Sequence, residues 1–86
     1  MLHSTTARIS IKGYTDSTGD YSYNVSVSRF RANTIKTYLA GKGVDPADIK
    51  AEGMGPENPI ATNNTAEDRR KNRRVEIELS VAESDG

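Results

Sequence analysis

The chain has 86 residues, enough for one domain with a small core, of which 34 % are hydrophobic. Twelve acidic and twelve basic side chains cancel to zero net charge, which argues against general electrostatic binding to nucleic acid or an anionic membrane. The absence of cysteine excludes a disulfide framework and a thiolate metal site and leaves the redox compartment open, and no apolar run approaches the ~18 residues of a membrane-spanning helix.

The N-terminus "MLHSTTAR" is too polar and too short for a signal peptide, although a secreted protein stripped of its leader would look the same. His3, alone near a terminus, reads as a terminal residue and not as a ligand. "ARISIKGY" alternates, with Ile9 and Ile11 on one side and Ser10 and Lys12 on the other, and predicts a strand of about six residues. "TDSTGDYSY" is a polar loop. A helix follows, with Asn24 as its N-cap, an end near Lys42 and Gly43 as the C′ residue. "VDPADIK" holds a second start signal, Asp45 as cap and Pro46 in the first helical position, with room for one turn. "DIKAEGMG" predicts a short strand with Ile49 and Ala51 on one face, and "GPENPIATNN" a loop. "TAEDRRKN" opens a short helix with Thr65 and Asp68 at capping-box spacing. "RRVEIELSV" is the clearest strand, with Val75, Ile77, Leu79 and Val81 facing one way. The ends, residues 1–6 and 82–86, are expected to fray.

Strand, helix, strand, short helix, strand is the order of an α+β two-layer sandwich with helices on one face of a mixed sheet. The first two strands, joined by a long helix, should be parallel through a right-handed crossover. Their alternation gives the sheet one covered and one wet face.

Arg31 is the puzzling residue. At about 100° per residue, Val27, Ser28, Arg31, Ala32, Ile35, Tyr38 and Leu39 share a stripe about 140° wide. A snorkelling side chain is one reading. The other is a partly buried guanidinium held by a carboxylate, for which Asp16 at the end of the first strand is the candidate. Ligand sites in α/β sheets lie at the carboxyl ends of strands. Asp16 and Arg31 would then border a pocket for a zwitterion, Asp16 taking an ammonium and Arg31 a carboxylate.

Other motifs carry less. "RRKNRR" puts five basic residues in six positions, but "AED" stands upstream and the run has no aromatic for base stacking, so a solvated helix with one or two Arg turned to a site is preferred to a nucleic-acid patch. "DSTGD" lacks the spacing of a calcium loop. "NVS" and "NNT" fit a glycosylation triplet too common to weigh. There is no Cys nucleophile, and the single His is misplaced for a Ser–His pair. Asp16 and Asp20 are the one carboxylate pair, with nothing to mark either as buried, so catalysis is the weaker class.

The set Gly-x-Thr-Asp at residues 13–16, Asn24, Ser28, Arg31-Ala32, "GMGPENPIATNNT" and "NRRVE" at 72–76, in this order, resembles the C-terminal domain of the OmpA/MotB family from about Ile9 to Leu79. The resemblance implies non-covalent binding of peptidoglycan in the Gram-negative periplasm, on the cell-wall side of the outer membrane, with no cofactor, no metal and no catalysis. It implies that Asp16 and Arg31 hold the diaminopimelate of the peptide stem, with Asn24, Thr18 and Arg73 around it and Thr15 shaping the loop. Tyr14 departs from the His common in the family and keeps a ring with a polar tip. A second departure is larger: family domains begin with another strand and a long helix before Ile9. A single, N-terminally truncated domain over residues 1–86 is therefore expected, with part of the apolar sheet face uncovered and an edge strand open. Self-association that completes the sheet is the expected consequence, as is the alternative of an assembly piece that no longer binds ligand.

Overall fold

The computed structural model describes residues 4–84, so His3 lies outside the described residues. Three strands, β1 (Ser4–Gly13), β2 (Ile49–Gly53) and β3 (Val75–Ser84), form one sheet in the order β2-β1-β3. β1 runs parallel to β2, with Ile9 opposite Ile49 and Ile11 opposite Ala51, and antiparallel to β3, with Ile9 opposite Leu79 and Ile11 opposite Ile77. The sheet is mixed, as the element order predicts. The central strand β1 and the edge strand β3 are both longer than expected. Ser4 pairs with Ser84 and Thr6 with Ala82, so residues 4–6 and 82–84, expected to fray, are strand. A two-stranded ribbon of β1 and β3 thus continues past the point where β2 stops, because each strand satisfies the other's backbone groups.

The long helix α1 (Tyr21–Gly41) connects β1 to β2 and packs on those two strands. Its N-cap is Asp20 and not Asn24: the Asp20 carboxylate accepts the Tyr23 amide at 3.0 Å and the Ser22 hydroxyl at 2.8 Å. Asn24 sits one turn inside, buried, with its side chain committed to the preceding loop. At the other end Gly43, at φ +106°, is the C′ residue the sequence marks. Asp45 caps the one-turn 3₁₀ segment Pro46–Asp48 through the Ala47 amide. The short helix α2 (Ala66–Asn72) is capped by Thr65, whose hydroxyl accepts the Asp68 amide. The Asp68 carboxylate turns to the Thr62 hydroxyl at 2.7 Å, so the capping-box spacing holds while its return bond goes elsewhere.

The core is small: Ile11, Ala32 and Ile49, flanked by half-buried Ile9, Ile35, Leu39, Val44, Ala51 and Val75. Helix α1 lies very close to the sheet. A Cβ added at Gly13 would collide with the carbonyl oxygen of Ser28, so only glycine permits this approach. Fully buried Ser28 closes the gap by accepting the Gly55 amide and donating to Val25 O, each at 2.9 Å. The buried stripe is therefore centred on Asn24, Ser28 and Ala32 and turned away from the predicted one: Tyr38 is 64 % exposed and Arg31 lies outside the core. Helix α1 does not reach over β3. Ile77, Leu79 and Val81, on the same face as Ile11, are each about 60 % exposed on a strand whose outer edge is open. Among the described residues no helix is long and apolar enough to cross a membrane.

Candidate functional site

The loop after β1 is fixed before any side chain is considered. The Tyr14 amide donates to Arg74 O and the Thr15 amide to Gly55 O, both at 2.8 Å, while Gly13 O accepts the Met54 amide. These bonds extend the sheet pattern beyond both neighbouring strands and bury Tyr14, Thr15 and Asp16. The Thr15 hydroxyl donates to Asp16 O, in keeping with a loop-shaping role.

Asp16 is the centre of the site. Its Oδ1 accepts the Thr18 amide at 2.8 Å, closing a tight Asx turn, and its Oδ2 accepts Arg73 Nη1 at 2.6 Å. Burial alone would raise its pKa. The Thr18 amide and the Arg73 guanidinium outweigh that and hold the carboxyl below its ordinary value. Asn24 Nδ2 donates to Thr18 O at 2.9 Å, tying the turn to the first turn of α1.

The structure thus brings together four of the five candidate residues: Asp16, Thr18, Asn24 and Arg73. Arg31 is different. The expected pair with Asp16 is not made, because Asp16 is held by Arg73, and Arg31 is exposed on the flank of α1. That flank is the one Asn24 occupies, seven positions earlier and nearly in line around the helix axis. Helical side chains lean toward the N-terminus, which is the end where Asp16 stands.

Periodicity pointed to none of the residues that brace this group. Asn72, the last residue of α2, is fully buried. Its Oδ1 accepts the Ile60 and Ala61 amides at 2.9 and 3.0 Å. Its Nδ2 donates to Ala61 O at 3.0 Å and to Asn63 Oδ1 at 3.2 Å. Asn63 Oδ1 in turn accepts the Ser17 amide at 3.2 Å, so one buried amide links the β2–α2 loop to the loop of Asp16. Arg74 lies 3.9 Å over the Tyr14 ring, pairs with Glu76 at 2.7 Å and donates to Asn58 O. The sequence signal for Asn72 was an uncharged amide inside a basic run.

That run has few cations to spare. Arg69 donates to Asn63 O, Lys71 is 3.7 Å from Asp68, and Arg73 and Arg74 are paired as described. Two small open clefts flank the sheet, one lined by Ser10, Lys12, Glu76, Ile77 and Glu78, the other by residues around Arg8 and Ile49; neither contains a site residue. Among the described residues no three His, Asp or Glu side chains cluster as metal ligands.

A β1–α1–β2 unit that presents an Asp at the end of its first strand, backed by Asn-Arg-Arg from the end of a short helix, defines a small α+β domain with a charged, hydrogen-bonded cluster at the carboxyl end of its central strand. The OmpA family model matches residues 1–73, and the chain belongs to the OmpA family. It is 55 % identical over 67 residues to outer membrane protein A of Bordetella avium, covering 78 % of this chain and 34 % of that protein. It is 49 % identical over 71 residues to the peptidoglycan-binding protein ArfA of Mycobacterium tuberculosis, covering 83 % of this chain and 22 % of that one. The chain therefore spans about a third or less of these curated relatives. The fold matches the crystal structure of the peptidoglycan-associated lipoprotein from Burkholderia pseudomallei with a TM-score of 0.81 at 30 % identity, over 86 % of this chain and 63 % of that one.

Proposed function

We propose that this chain is a non-covalent peptidoglycan-binding module that reads the diaminopimelate of the peptide stem and makes or breaks no bond. The observation that carries the reading is the near-buried, ionised Asp16 at the open end of β1, braced by Thr18 and Asn24 and bordered by the guanidinium of Arg73. A carboxylate among cations suits a ligand that carries both charges on one carbon. Asp16 receives the ammonium. Arg31, on the flank of α1 in line with Asn24, takes the carboxylate once it folds back toward the helix N-terminus. Charge-assisted bonds contribute about 1.5–3 kcal/mol each, so two or three give reversible holding. The names of the relatives, a peptidoglycan-binding protein, a peptidoglycan-associated lipoprotein and an outer membrane protein, support peptidoglycan as the partner and a place in the cell envelope, which we read as the wall side of the outer membrane.

NMR titration of the labelled chain with a diaminopimelate-containing muropeptide tests the reading. Shifts at residues 15–31 and around Arg73, lost in Arg31→Ala and Asp16→Asn, are expected. A Lys-type stem lacks the distal carboxylate and should bind markedly more weakly. Equal binding of the two stems refutes diaminopimelate recognition.

A second reading concerns a partner. Exposed Ile77, Leu79 and Val81 on the open edge strand favour a second copy of this chain, joined β3 to β3 in antiparallel fashion. Centring the pair on Leu79 sets Ile77 opposite Val81 and Glu78 opposite Ser80. Centring it on Glu78 would set two carboxylates against each other, which disfavours that register. Sedimentation at micromolar concentration should show a dimer that Leu79→Lys dissociates. A folded wild-type monomer refutes it, and an oligomer indifferent to muropeptide makes the chain an assembly piece instead.

A further inference from the structure

Resting on the wall-binding reading, one feature of the site goes beyond it. Both oxygens of Asp16 are already engaged, Oδ1 by the Thr18 amide and Oδ2 by Arg73. The Asp16 side chain is only 11 % exposed. A ligand ammonium reaching so confined a carboxylate must either crowd against the guanidinium or displace it, and crowding sets two cations side by side.

The two arginines of the motif are held very differently. Arg74 is fixed by Glu76, by Asn58 O and Asn72 O, and by the ring of Tyr14. Arg73 has a single described side-chain bond, the one to Asp16, and its side chain is 40 % exposed. It stands between α2 and β3, at φ −80° and ψ 91°, outside both elements. Its guanidinium can leave Asp16 without disturbing helix or strand.

We propose that Arg73 is the resident counter-ion of the ammonium subsite, and that its displacement makes the site selective for zwitterionic α-amino-acid ends over plain amines. A plain alkylammonium must expel Arg73 and offers nothing in return. A zwitterion expels it and supplies a carboxylate on the neighbouring carbon, within reach of the guanidinium just released. One ion pair becomes two, Asp16 with the ammonium and Arg73 with the carboxylate, which Arg31 approaches from the other side. The total charge is unchanged, and no cation is left unpaired in the site.

The test compares two probes with the same carbon spacing between their amines: meso-diaminopimelate and 1,5-diaminopentane, which lacks both carboxylates. Affinities are measured by calorimetry or NMR for wild type, Arg73→Ala and Arg73→Gln, with the amide spectrum of each variant confirming the fold. The wild type should favour diaminopimelate strongly. Both variants, freed of the competing cation, should bind the diamine several-fold more tightly and diaminopimelate more weakly, so that the preference falls by about tenfold or more. In the wild type, the Arg73 side-chain NMR signals should move with diaminopimelate. Equal weakening of both probes makes Arg73 a fixed wall of the site and overturns the exchange while leaving wall binding intact. A wild type that binds neither diaminopimelate nor the muropeptide overturns the wall-binding reading, and the exchange with it.

Discussion

Asn72 is the residue whose loss should cost the most for its size. Replacing it by Ala removes four hydrogen bonds of 3.2 Å or less, two accepted from the Ile60 and Ala61 amides and two donated to Ala61 O and Asn63 Oδ1. At about 1 kcal/mol net per bond the sum is about 4 kcal/mol. Water can re-enter at the exposed loop residues and recover part of it, so about 2–3 kcal/mol is expected for Asn72→Ala. A domain of this size has roughly 4–13 kcal/mol in total. Urea unfolding should show the loss as a lower midpoint with an unchanged slope, and hydrogen exchange should show the Ile60 and Ala61 amides unprotected. An Asn72→Ala loss below about 0.5 kcal/mol, with both amides still protected, would refute the hub.

Three further outcomes follow from the same contacts. Asp16 is held below its ordinary value of 3.8, so its contribution is present above that pH and is lost as pH falls through the folded pKa. The stability gap between wild type and Asp16→Asn, followed by urea unfolding, should accordingly shrink on acidification below that value. Gly13→Ala drives a methyl into Ser28 O and should destabilise by about 1–3 kcal/mol, read from thermal melts, with shifts in the amides around Ser28. Asp20→Ala removes the cap of α1 and should cost about 1 kcal/mol in the same melts, whereas Asn24→Ala should disturb the Thr18 turn first, read from its amide shifts.

What the sequence made legible was local. The stop at Gly43, the caps at Asp45 and Thr65 and the pairing sense of β1 and β2 each rest on a few adjacent residues or one connection. Asn24 misled because Asp20 and Asn24 are both good cap residues. Asp20 takes the cap, and Asn24 is consumed by Thr18 O, a bond that exists only once the loop has closed. Arg31 misled because periodicity alone ranks side chains by spacing. The helix turned toward Ser28 and Ala32, since Gly13 lets it descend there, and a rotation of less than one residue's arc moves Arg31 from core to rim. The pair of Asp16 with Arg73 spans 57 positions, and no local pattern encodes it.

The division of labour in the site has a consequence for how strongly it can bind. The groups that set its shape, Asn72, Asn24, Thr15 and Ser28, are buried and bonded to backbone, so the loop of Asp16 is organised before a ligand arrives and little ordering entropy is lost on binding. The groups that would meet the ligand are few, and one of them, Arg73, must first give up a partner. On the exchange proposed for Arg73, trading one ion pair for two returns less than forming two from nothing, which would keep the affinity for a single stem modest. For a module of the proposed kind, holding a polymer of repeated stems, a modest single-site affinity would be sufficient. A released stem would be replaced by a neighbour at high effective concentration, and such a module could move along the wall without leaving it.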